Sequence, residues 1–316
     1  MAGFDFFISK IRKLHRTQLF FVYGSMRSGT TWLQLMLDAH PAVSCRGEAH
    51  FLDRLVPSLQ EAASRHNAYL EWKNRSIFEE IGGYPTFSVD HLRHLAVTAM
   101  LLLMAEQSKD KACVAVGEKT PDSIRFLPLL KILFPKAKFI HIVRDGRDST
   151  VSAWFHNQRT SPEWLQQNYS SLDAFAAASA DEWGKEMSLA TEFATSHPAS
   201  CFTLRYEDLL ERPEALLKDI LRFLGVKATA AQISACCAGT SFINLTNGRQ
   251  SGQEDRGSFF RKGTSGDWLN HFTPAMNDVF RDKAGRWLEH FGYEMPKATQ
   301  PGRRSSSQPS PDFFSA

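Results

Sequence analysis

Short apolar runs at Gln18 to Tyr23 (QLFFVY), Cys113 to Gly117 (CVAVG), Lys138 to Val143 (KFIHIV) and Ser200 to Arg205 (SCFTLR) alternate with longer stretches of helical spacing. Nearly continuous hydrophobicity over five or six residues suits strands covered on both faces. Their alternation with helices is the pattern of a parallel sheet with crossover connections. Helical patterns are read at Thr31 to Ala39, which stops at His40-Pro41, and over 53–72, 91–107, 123–133, 146–158, 172–196, 213–224 and 275–290. The expected architecture is α/β: a single three-layer domain over residues 1–296 with a mostly parallel central sheet. Residues 53–107 interrupt the alternation and are the candidate helical cap of an acceptor site, with 158–172 as a further part of its wall. Residues 297–316 are rich in Pro, Ser, Gly and Gln, with almost no core-forming residue before Phe313 and Phe314, and are expected to be a disordered tail.

Composition narrows the function classes. A chain of 316 residues can bury a substantial core, and a formal charge of +3 is far from the dense basic blocks of a protein that coats nucleic acid. Functional positive charge must therefore be gathered in a site. Cys45, Cys113, Cys201, Cys236 and Cys237 are scattered and odd in number, which fits reduced thiols in a cytoplasmic setting. The adjacent Cys236 and Cys237 lack metal-ligand spacing, and no other metal site is expected. The opening MAGFDFFISKIRKLHR does not read as a signal peptide. The longest apolar run, Leu95 to Met104, is about half of what a membrane span needs, so none is expected.

The chemistry-bearing motif follows the first strand. Gly24-Ser25-Met26-Arg27-Ser28-Gly29-Thr30-Thr31 links an apolar strand to a helix, the setting in which backbone N–H groups and the helix dipole gather round a phosphate. Its glycines have the spacing of the nucleotide loop G-x-x-x-x-G-K-[ST], but Thr30 stands where that loop needs its lysine. That lysine answers the β- and γ-phosphates of a triphosphate, so its absence speaks against ATP or GTP chemistry. The cation lies inside the loop instead, at Arg27, placed to neutralise charge on a leaving 5′-phosphate.

Arg27 to Trp32 (RSGTTW) resembles the 5′-phosphosulfate loop, [KR]-S-G-T-T-[WL], of the sulfotransferases that use 3′-phosphoadenosine-5′-phosphosulfate (PAPS). With the following MLDAHP and GE, it looks closest to tyrosylprotein and bacterial sulfotransferases. The resemblance implies a P-loop-like phosphosulfate site formed by Arg27, Ser28, Gly29, Thr30, Thr31 and Trp32. A second landmark is Arg144-Asp145-Gly146-Arg147-Asp148 at the end of KFIHIV, with Ser152 one helical stretch on. Past the carboxyl end of a parallel strand, an arginine and a hydroxyl can grip one phosphate together. In the family, the positions matching Arg144 and Ser152 bind the 3′-phosphate. The third is Arg261-Lys262-Gly263-Thr264-Ser265-Gly266-Asp267-Trp268, two cations in a glycine-bearing loop. It is similar to the family's R-K-G-x-x-G-D-W segment, which closes over the 3′-phosphate and adenosine. Tyr206 and Thr240-Ser241-Phe242 are implied nucleotide contacts by the same resemblance. The motifs span roughly residues 18–292 in family order.

The expected reaction is sulfuryl transfer from PAPS to a hydroxyl or amine, with adenosine 3′,5′-bisphosphate released and no metal required. Such a transfer proceeds in line through a loose transition state, so positioning and charge stabilisation carry most of the catalysis. Arg27 is assigned to the leaving phosphate, and Lys119, in Gly117-Glu118-Lys119-Thr120-Pro121, to the sulfuryl oxygens. The family's cytosolic branch has its histidine base two residues after that lysine, where this chain has Pro121. Its tyrosylprotein branch uses the glutamate of a GE motif, which implies Glu48 as base, with burial expected to make it basic and His50 in reserve. A P-loop kinase and a non-catalytic nucleotide-binding scaffold are the alternatives. The acceptor, a small molecule or a peptide, stays open. So does the oligomeric state, since the motif K-x-x-x-T-V-x-x-x-E is not visible.

Overall fold

The computed structural model describes residues 3–295 apart from His15, so the tail expected at 297–316 lies outside the described residues. Five strands form the sheet: β1 (Gln18–Tyr23), β2 (Val43–Arg46), β3 (Ala115–Lys119), β4 (Lys138–Val143) and β5 (Cys201–Arg205). Their order is β2-β3-β1-β4-β5 and every pairing is parallel, so the sheet is wholly rather than mostly parallel. The period of two along β1 sorts its side chains between two cores. Phe21 and Tyr23 pack beneath Leu172–Ser196 and Pro274–His290 with Trp183, Met187 and Phe280, whereas Phe20 and Val22 pack with Leu33, Met36, Leu217 and Ile220. Each such fully buried side chain contributes roughly 1.5–3 kcal/mol of transfer free energy.

Helix starts follow local chemistry. Ser171 accepts a hydrogen bond from the Ala174 N–H, and Thr229 and Thr273 each close a capping box. After β1 the chain passes to the β3 side through Thr30–Asp38, and after β4 it passes to the β5 side through Gly146–Thr160. The two connections diverge, and this opens a crevice at the carboxyl ends of β1 and β4, where open α/β sheets bind their ligands.

Two expected strands shift, and one strand and several helices were not expected. The strand read at Cys113 to Gly117 is β3, two residues later, because Glu118 and Lys119 extend it. Both are buried charges with partners, which an apolarity pattern cannot anticipate. β2 was not anticipated: VSCR is too short and too polar to show a period. The last run begins at Cys201, after a 3₁₀ turn over Pro198–Ser200. Helices Phe4–Leu14, Pro162–Asn168, Tyr206–Glu211 and Ala230–Gly239 were also not foreseen. No helix among the described residues is long and apolar enough to cross a membrane.

Candidate active site

The loop after β1 is shaped by two glycines. A Cβ on Gly24 would lie 2.3 Å from the Ile142 carbonyl oxygen. A Cβ on Gly29, whose φ is +99°, would lie 2.5 Å from the Tyr206 ring. Between them Arg27 is left-handed too, at φ 65°, a sparsely populated region for a side chain of its size. That conformation turns the guanidinium across the crevice. Its Nε donates to Ser152 Oγ at 3.3 Å, its Nη2 donates to the Phe259 carbonyl at 2.9 Å, and the group lies 4.6 Å over the Phe259 ring. Burial first, then the nearby Arg144 and Arg159, push Arg27 down to about 10, with Glu48 opposing.

Arg144 reaches from the end of β4 to both neighbouring loops, donating from Nη1 to the Arg27 carbonyl at 3.2 Å and from Nη2 to the Thr264 carbonyl at 3.0 Å. Its guanidinium lies 4.6 Å from the Tyr206 ring centroid. Asp148, one turn on, accepts from the Gly266 N–H at 2.6 Å and the Trp268 N–H at 2.9 Å, pinning the Arg261–Trp268 loop beside Arg144. Within that loop Arg261 donates to Glu254 and Asp267 at 2.6 and 2.5 Å, and Lys262 donates to Asp267 at 2.5 Å. Burial works against ionisation of Asp267, but the two cations outweigh it and hold the carboxyl well below the usual range. Gly263 (φ +68°) leaves room for Phe242, whose ring a Cβ there would meet at 2.2 Å. The Trp32 indole N–H donates to the Thr240 carbonyl at 2.9 Å, tying the helix Thr30–Asp38 to the end of Ala230–Gly239. The RDGRD segment is therefore no solvated turn: Arg147 is buried, paired with Asp145 at 2.7 Å and stacked 3.7 Å from the Trp268 ring.

These side chains surround a cavity of about 540 Å³. All the residues expected to hold the nucleotide line it except Ser28 and Thr240, and Glu48 opens onto it as well, whereas Lys119, expected at the sulfuryl oxygens, is buried behind Thr31 and Glu48 and does not line it. Residues 53–107 and 158–172 line no part of this cavity; its cover comes from Ser241 to Thr264. Buried atoms without partners among the described residues include Ser28 Oγ, Arg144 Nε and Arg261 Nε, which leaves unused donors beside the cavity for an anionic ligand.

At the end of β3, Lys119 is 3% exposed and donates from Nζ to Glu48 Oε1 at 2.5 Å and to Thr31 Oγ1 at 3.1 Å. Glu48 thus pairs with Lys119 rather than with Arg46 or Arg27. Its side chain is 40% exposed, so the burial expected at Glu48 is absent there. The buried carboxylate is Glu118, which the sequence did not single out. It accepts from the Ala49 N–H at 3.1 Å and from Thr120 Oγ1, and burial pushes it up to about 7. Consecutive residues of one strand therefore clamp the Glu48 loop, Glu118 by the backbone and Lys119 by the side chain.

Because Glu118 is raised from ~4.3 in the unfolded chain, its protonated form favours folding. That stability is fully present below ~4.3 and is lost as pH rises to about 7, at ~1.4 kcal/mol per pH unit. The Glu118→Gln variant should accordingly gain stability relative to the parent as pH increases from about 5 to about 8. Denaturant unfolding across that range checks the sign; a flat difference would contradict a carboxyl protonated near neutrality.

The profile of the sulfotransferase family matches residues 20–230, from β1 through the start of Ala230–Gly239. The chain belongs to the sulfotransferase family. A putative protein-tyrosine sulfotransferase of Caenorhabditis briggsae is 26% identical over 302 residues, 94% of this chain and 93% of that one. Protein-tyrosine sulfotransferase 1 of Danio rerio is 28% identical over 208 residues, 66% of this chain. The match spans about half, 53%, of that fish protein's length. Among solved structures, a mouse sulfotransferase complexed with PAP superposes with a TM-score of 0.53 at 19% identity, covering 90% of this chain and 94% of its own. The sulfotransferase domain of the Synechococcus olefin synthase gives 0.50 at 21% identity, covering 89% and 97%. Both share the fold of this chain. The loop Arg261–Trp268 lies beyond the matched profile and enters the site through its contacts with Asp148 and Arg144.

Proposed function

We propose that this sulfotransferase moves a sulfuryl group from PAPS to a hydroxyl on a protein or peptide and releases adenosine 3′,5′-bisphosphate. The observation that carries the reading is the distribution of cations in one cavity. Arg27 sits inside a phosphate loop without a Walker lysine, while Arg144 and Arg261, each with an unpartnered buried Nε, stand together on the cavity wall built from β4 and the Arg261–Trp268 loop. That set fits a ligand with a 5′-phosphosulfate and a separate 3′-phosphate, and bound PAPS would supply a sulfuryl group on a stable leaving group. Arg27 would neutralise the departing phosphate, and the Thr30–Asp38 amino terminus would orient it. Lys119, fixed between Thr31 and Glu48, would face the sulfuryl oxygens, and Glu48 would take the acceptor proton.

The choice of a peptide over a small molecule or an amine is supported by relatives named protein-tyrosine sulfotransferases. Five free cysteines are in keeping with a cytoplasmic, reducing setting. The proposal is tested by incubating the chain with PAPS labelled in the sulfuryl group and a panel of tyrosine peptides, phenols, alcohols, sugars and amines. Label on a tyrosine peptide with stoichiometric adenosine 3′,5′-bisphosphate is the expected result; label on none of them would overturn it.

A further inference from the structure

Glu48 lines the cavity and His50 does not. The carboxylate has two different edges: Oε1 receives the Lys119 ammonium at 2.5 Å, and Oε2 lies 3.5 Å from His50 Nε2. On its other side the His50 ring meets Asp53, Nδ1 to Oδ2 at 2.8 Å. A carboxylate only accepts, so in the neutral ring the proton sits on Nδ1, held by Asp53, and the lone pair of Nε2 faces Glu48; in the imidazolium both nitrogens donate. His50 holds this position in a left-handed conformation, φ 48° and ψ 43°, uncommon for non-glycine residues although histidine adopts it more readily than most. Its carbonyl is tied down from the π-helical turn Phe51–Leu55 by the Arg54 and Leu55 N–H groups at 3.1 and 3.3 Å. The next turn therefore fixes where the imidazole stands.

We propose that Asp53 and His50 form a relay that carries the acceptor's proton from Glu48 to solvent, an inference that rests on the sulfuryl-transfer reading above. The acceptor O–H bond breaks as its oxygen takes the sulfuryl group, and the proton goes to Glu48 Oε2, the edge not held by Lys119. It then passes from Oε2 to His50 Nε2, while Asp53 balances the imidazolium. Lastly it leaves Nε2 for water, to which the 38%-exposed side chain has access. No electrons change hands and Glu48 returns to its carboxylate form. The 3.5 Å gap is long for a hydrogen bond and has to contract by roughly half an ångström in the transfer geometry, as such contacts do on substrate binding. Asp53 and His50 are positioning and relay residues; the group that touches the acceptor is Glu48.

The charged groups facing His50 are Glu48, Asp53, Asp122 and the buried Glu118, with Lys119 hydrogen-bonded to Glu48 and Arg54 3.8 Å from Asp53. Partial burial disfavours the imidazolium, but the Asp53 hydrogen bond and the charges of Asp53, Glu48 and Asp122 outweigh it and raise His50 above its ordinary value. The relay works with neutral His50, so turnover should fall as pH drops through that raised value. In the Asp53→Asn variant this acid limb should move to lower pH.

The test uses the full chain and the labelled transfer assay. His50→Ala is expected to lower kcat by about tenfold, less than loss of the base itself, with KM for PAPS unchanged. Added imidazole should restore much of the loss, more so at higher pH, where imidazole is neutral. A kcat equal to the parent's, or a loss that imidazole leaves untouched, would overturn the relay. Absence of transfer by the parent chain would count against the reaction, not the relay. For that reason ¹⁵N shifts of His50 provide a separate reading: protonation at Nδ1 in the neutral ring is expected, and protonation at Nε2 would contradict the relay whatever the activity.

Discussion

The Glu48→Gln variant is expected to transfer sulfuryl groups roughly 10²–10⁴-fold more slowly than the parent while binding adenosine 3′,5′-bisphosphate as tightly. Glutamine keeps the shape of the side chain and can still accept from Lys119 through its carbonyl oxygen, so the loop held by Glu118 through the Ala49 N–H should stay in place. What it lacks is an oxygen that can take a proton. The effect should fall on kcat rather than on KM for PAPS, because Glu48 reaches the cavity from the β3 side and Arg144 and Arg261 from the β4 side. A fall in nucleotide binding of the same size would instead mean that Glu48 serves mainly to hold Lys119.

Arg261→Ala should weaken adenosine 3′,5′-bisphosphate by on the order of 10²-fold and leave 5′-AMP almost unaffected, since a charge-assisted hydrogen bond is worth ~1.5–3 kcal/mol. In the free protein the two Nη groups of Arg261 are held by Glu254 and Asp267, so the fork is oriented before any ligand arrives and Nε is left without a partner. Arg261→Lys should recover only part of the loss, because an ammonium cannot reproduce that fork. Calorimetric titration with the two nucleotides measures both effects. Equal losses for AMP and the bisphosphate would move the 3′-phosphate away from Arg261.

The parts of this architecture that were legible in the sequence are those whose forces are local. β1 and β4 begin and end where their apolar runs do, and Leu172–Ser196 matches its periodic stretch end to end. The phosphate loop could be read because two glycines are demanded by backbone geometry within a few residues of each other. Long-range partners were not legible. Glu118 and Lys119 look like a strand's polar edge, yet they are buried because Ala49, Thr120, Glu48 and Thr31 supply their bonds. Asp148 gave no sign that it would anchor Gly266 and Trp268, 118 and 120 positions away. Glu48 came from resemblance alone, and resemblance could not say that it stands half-open against His50. Residues 53–107 were read as a cap from an interruption in the pattern, which marks an insertion without saying what it covers.

The central claim is that one cavity recognises a nucleotide by two separated phosphates, and thermal stabilisation of the full chain tests it most directly. At about 100 times its dissociation constant, adenosine 3′,5′-bisphosphate should stabilise the protein by ~2.7 kcal/mol, with a much smaller shift for 5′-AMP at the same concentration. A shift with Mg-ATP but none with the bisphosphate would contradict the account.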